Sequence, residues 1–134
     1  MTKSEPGGER RVDWLAAGLG LILAVLTELA GSAVWFGGHR GGTVQMGVLT
    51  LGALVAGGFV AGYLGPLSGS VWNGIVVAIG FIVVGQLAGA AEPVGPLGSG
   101  GLDTLGLVID DVLVLTGGTL GGLLARGARR LVTR

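Results

Sequence analysis

Cysteine is absent from the 134 residues, so the chain holds no disulfide, no thiolate metal site and no cysteine nucleophile. Charge is scarce: 12% of residues are charged, against about a quarter in a soluble domain. Lysine occurs once, as Lys3, and seven arginines supply the rest of the basic charge. Eight acidic residues bring the formal net charge to zero, and no basic groove for nucleic acid is available. Histidine also occurs once, and His39 falls between two apolar stretches, where it reads as a solvated loop residue. The serines lack a basic partner, and no phosphate-binding loop or metal-ligand spacing occurs. These absences point away from an enzyme and imply no catalytic residue, no cofactor and no metal.

What is present is apolar and glycine-rich. Half of the residues are hydrophobic, thirty are glycine, and the mean hydropathy is +0.79. A chain of this length cannot hide so much apolar surface in water. Four glycine-studded stretches, Trp14–Phe36, Thr43–Leu64, 71–91 and 103–125, fill most of it. Each has about the twenty residues that a helix rising ~1.5 Å per residue needs to cross a ~30 Å hydrocarbon core. The expected fold is all-α: a membrane-embedded four-helix bundle forming one transmembrane domain. Residues 1–13 and 126–134 are expected to be tails.

The arginines set the expected topology. Lys3, Arg10 and Arg11 precede the first stretch, Arg126, Arg129, Arg130 and Arg134 follow the last, and only Arg40 lies in a loop. The positive-inside rule then places both termini in the cytoplasm, which requires an even number of spans in the cell (inner) membrane. The loop with Glu92 is expected outside and the uncharged turn 65–70 inside. Trp14, Tyr63 and Trp72 fall at the cytoplasmic boundary, and Trp35 and Phe36 at the outer one, as interfacial aromatics do. A competing reading exists at the start of the chain. The basic start, the apolar run 15–26 and the small residues Gly31, Ser32 and Ala33 also fit a cleaved secretory signal.

An internal repeat argues against cleavage. At a spacing of 58, Trp14, Val25, Leu29, Ala30 and Gly31 recur as Trp72, Val83, Leu87, Ala88 and Gly89, so that Glu28 is answered by Gln86. At a spacing of 60, the glycine pattern of 57–64 recurs in 117–124. The chain reads as two fused transmembrane hairpins, a parallel internal repeat about an axis along the membrane normal. The alternative is low complexity alone. Small residues four apart allow the close backbone approach on which helix association in lipid depends. Gly57, Gly58 and Gly62, with Ala53, Ala61 and Gly65, mark such a seam on the second stretch, and Gly117, Gly118, Gly121 and Gly122 one on the fourth. Gly85 and Gly89 offer another on the third. The second and fourth helices are expected at the packed centre.

The run Gly57-Gly-Phe-Val-Ala-Gly-Tyr-Leu64, followed after a short turn by Ser70-Val-Trp-Asn-Gly74, resembles a family of small glycine-rich four-span membrane proteins of unknown function, found mainly in halophilic archaea. The ending Gly117–Leu124 before Arg126 resembles that family's last span. The resemblance implies a fold and carries over no catalytic or binding residue.

Charges within spans cost about 2.5–3.5 kcal/mol at the helix centre on insertion scales and are functional candidates. Glu28, Asp110 and Asp111 are the three here; Glu28, Gln86, Asp110 and Thr50 fall in the same outer half, so that four helices could share one polar layer. No basic residue lies at that depth. Glu28 shares its face with Gly20, Ala24 and Gly31, and Asp110 with Gly117 and Gly121, so both are expected to point at neighbouring helices. Two function classes fit. The groups are hydrogen-bonding pins in a protein of structural or unassigned role, or they carry a proton or cation in a small channel or transporter. The expected partners are the lipid bilayer, anionic lipid headgroups at the C-terminal arginines, and a homo-oligomer.

Overall fold

The computed structural model describes residues 12–37, 43–91 and 104–132, apart from the side chains of 36, 43, 89–91 and 104–110. The expectations for Lys3, Arg10, Arg11, His39, Arg40, Glu92 and Arg134, for the packing of Gly89 and for the side chain of Asp110 therefore lie outside what is described. The described chain is all-helical: α1 (Trp14–Phe36), α2 (Thr43–Leu64), α3 (Ser70–Ala91) and α4 (Thr104–Val132), with no strand among the described residues. Three of these are long and apolar enough to cross a membrane, over Trp14–Trp35, Val44–Leu64 and Ser70–Ala88.

Local chemistry sets the ends. Asp13 caps α1, its Oδ1 accepting the backbone N–H groups of Leu15 at 3.0 Å and Ala16 at 3.1 Å. At the other end Gly37 takes the left-handed conformation (φ 53°), and its N–H closes onto the Ala33 carbonyl at 3.1 Å. Pro66 cannot continue α2, and a tight turn follows in which the Gly69 N–H donates to the Pro66 carbonyl at 2.9 Å. Residues 126–132 of the expected tail are helical, because α4 continues to Val132. Ala128, Arg129, Arg130 and Leu131 are strong helix formers, and cations in a last turn favour the helix dipole.

Consecutive helices run antiparallel. The starts of α1 and α3 and the ends of α2 and α4 gather at one end of the bundle, where Asn73 bonds the Asp13 N–H and the Ala61 carbonyl, and Arg129 bonds the Gly65 carbonyl. Both ends of the described chain therefore lie at the same end. The most extensive interface joins α2 and α4, and α2 also packs against α1 and α3. An exact two-fold between hairpins would make the α2–α3 and α1–α4 relations equivalent; α2 touches α3, whereas α1 and α4 do not meet among the described residues.

The interior is built from small residues. Ala16, Ala17, Ala24, Ala53, Ala61, Ala78 and Ala125 are buried, with Leu54, Val77 and Val114 the larger exceptions. Glycines bring backbones together. A methyl group on Gly58 would lie 2.5 Å from the Gly118 carbonyl oxygen, one on Gly57 2.5 Å from that of Gly20, and one on Gly62 3.1 Å from the Gly122 Cα. Gly121 approaches the Phe59 nitrogen in the same way, at 2.7 Å, and Gly117 faces the Leu54 Cβ at 3.0 Å. Gly118 is enclosed from a second side by Gly74 of α3, so three helices meet at it. Gly85 is the exception to the expected seams: nothing lies within 4 Å of its Cβ position. That part of α3 stands away from its neighbours, and residues 83–88 are all exposed.

Candidate functional site

Two groups of polar side chains stand out, at different heights. In the first, Glu28 of α1 is half-buried, and the Thr50 hydroxyl of α2 donates to its Oε1 at 2.8 Å. Glu28 reaches α2 because its face of α1 is small: Gly20 and Ala24, two and one turns earlier, lie directly against Gly57. Gly31, on the following turn, faces Leu49. Glu28 and Thr50 border an open groove of about 320 Å³ whose remaining walls, including Val25, Leu29, Phe81 and Val84, are apolar.

The expected four-helix layer is only partly assembled. The structure brings Glu28 and Thr50 together, while Gln86 is exposed and stands outside the groove. The reason is helical phase: Phe81, Val84 and Ala88 turn toward Glu28, and Gln86 shares the opposite, outward face with Ile79 and Val83. Asp111 of α4 is half-buried, and the Asp110 side chain lies outside the described residues. Among the described residues no three of His, Cys, Asp and Glu come close enough to hold a metal ion.

The second group closes the opposite end. Asn73 is fully buried; its Oδ1 accepts the Asp13 N–H of the α1 cap at 3.0 Å, and its Nδ2 donates to the Ala61 carbonyl of α2 at 3.2 Å. Gly65 has to lack a side chain because the Asn73 amide occupies the space its Cβ would take. One turn earlier, the buried Ser70 hydroxyl donates to the Gly122 carbonyl of α4 at 2.8 Å. Arg129 of α4 then donates to the Gly65 carbonyl, a cation placed at the C-terminus of α2. All four helices are thus tied at one end through Asn73, Ser70 and Arg129. Reading by charge overlooked this cluster. The signal was present as two small polar residues in the first turn of an apolar stretch, just after a proline and glycine turn.

No known protein family, curated protein or solved structure matches this chain. The chemistry of the two polar groups therefore has to stand on its geometry. A carboxylate that accepts a hydroxyl hydrogen bond beside an apolar groove can also accept further hydrogen bonds or hold a proton or a cation. The Asn73 cluster satisfies backbone groups and leaves no buried side-chain polar atom without a partner among the described residues.

Proposed function

We propose that this chain is an integral membrane protein of structural role, spanning the bilayer four times with both termini in the cytoplasm. The observation that carries this reading is an interior of alanine and glycine with the large apolar side chains turned outward. Leu15, Ile22, Leu26, Val34, Val44 and Val48 are all more than half exposed. A water-soluble bundle reverses that order, whereas hydrocarbon rewards close backbone approach inside and leucine outside. The fourth crossing is α4, whose glycines face α2 and whose arginines lie at the end shared with Trp14, Tyr63 and Trp72. Arg126 and Arg130 are exposed there and suit anionic headgroups, at about 1 kcal/mol each. Resistance to alkaline carbonate extraction is the expected result, and release into the supernatant would overturn the membrane reading.

A second reading has one observation in its favour, the Glu28–Thr50 pair beside an open groove. It makes the protein a small proton- or cation-linked channel or transporter with Glu28 as the carrier. Ion flux through purified protein in liposomes separates the two. The structural role predicts flux no greater than in empty vesicles; flux that is abolished by Glu28→Gln would establish transport.

A further inference from the structure

Gln86 is a polar group on α3 that the bundle leaves exposed. It lies fourteen residues beyond Trp72 on α3, about 21 Å along the helix axis. With Trp72 at one interface and a hydrocarbon core of ~30 Å, its amide sits well inside the opposite boundary. It is exposed, and no hydrogen bond to it is present among the described residues. Hydrocarbon offers such a group nothing, and a neighbouring helix is the usual source of a partner.

The surroundings indicate which helix. Trp72, Val76, Ile79, Val83 and Gln86 follow one another at alternating spacings of four and three, a single seam of the kind along which two helices pair. Trp72, Ile79 and Val83 are 41%, 50% and 51% exposed and Gln86 is exposed, while Val76, at the edge of the seam, is half-buried against the core, so most of the seam is uncovered in one copy. A side-chain amide carries both donors and an acceptor, so it is complementary to itself. A two-fold axis along the membrane normal keeps identical residues at identical depth, and an isologous contact places each seam on its own copy.

We propose that the outward face of α3 pairs with the same face of a second copy of this chain, the two Gln86 amides bonding each other across the two-fold axis. This rests on the membrane reading and adds an oligomeric state to it. The pairing leaves the Glu28 groove on the other side of α3, and the internal seams of α2 and α4 are unaffected.

The experiment uses the absence of native cysteine. Val83→Cys is placed on the seam, and Gly52→Cys at a similar depth on an exposed part of α2, where nothing lies within 4 Å of the Cβ position. Both are reconstituted in phosphatidylcholine vesicles at high lipid-to-protein ratio and oxidised. The expected result is a disulfide-linked dimer for Val83→Cys at about five times the yield of Gly52→Cys. Adding Gln86→Leu should bring that yield down to the Gly52→Cys level with the thermal unfolding of the monomer in detergent unchanged. Equal yields for the two cysteines would overturn the pairing, as would a Val83→Cys dimer indifferent to Gln86→Leu. Protein that stays with the vesicles after carbonate while failing to cross-link defeats the dimer alone; protein released by carbonate defeats the membrane reading as well.

Discussion

Single side chains tie the helices together at one end of this bundle. Asn73 serves the cap of α1 and the last turn of α2 with one amide, so Asn73→Leu leaves the Asp13 N–H and the Ala61 carbonyl without it. The expected loss is about 2–3 kcal/mol, read as a lower midpoint of unfolding in detergent. Glu28 is a different case. Its contact with Thr50 involves one hydroxyl, and the amide of Gln keeps an acceptor of nearly the same shape. Glu28→Gln should therefore leave the unfolding midpoint within the equivalent of about 1 kcal/mol, and a collapse of the fold would show that the carboxylate does more than pin two helices. The carboxylate was legible in the sequence as a charge in an apolar run. Asn73 was not, because an uncharged amide near a helix start looks like ordinary turn chemistry until its neighbours are known.

At the scale of elements, glycine spacing decides which helices touch, but only where the phase of the helix turns it toward a neighbour. Gly58 and Gly118 face each other across α2 and α4, while Gly85 faces open space in an apparently similar pattern. Gly58→Leu and Gly118→Leu are expected to cost about 3 kcal/mol or more, since the backbones would have to separate. Gly85→Leu should stay within about 0.5 kcal/mol. Three equal melting temperatures in detergent would remove the α2–α4 seam from the account. The continuation of α4 through Arg129 and Arg130 has its own consequence: Arg129→Ala should free the end of α2 and raise amide hydrogen exchange at residues 62–65, with little change elsewhere.

For the whole molecule, topology is the testable quantity. With no native cysteine to interfere, Ser4→Cys and Thr133→Cys should resist an impermeant thiol reagent added to intact cells, and Gly41→Cys should react. Labelling at position 4 or 133 from outside would reverse the proposed orientation. The number of helices, their bounds to within a few residues except at the end of α4, and the apolar nature of three of them were readable from composition and length. These follow from local physics: apolar run length, proline and glycine stops, and propensity act within one segment. The tertiary structure decided what depends on rotation about each helix axis. It set Glu28 against Thr50, turned Gln86 outward, left Gly85 in open space, and drew Asp13, Asn73, Gly65 and Arg129 into one cluster. In helices apolar on every side no hydrophobic stripe marks the inward face, so only the fit of four backbones against one another selects it.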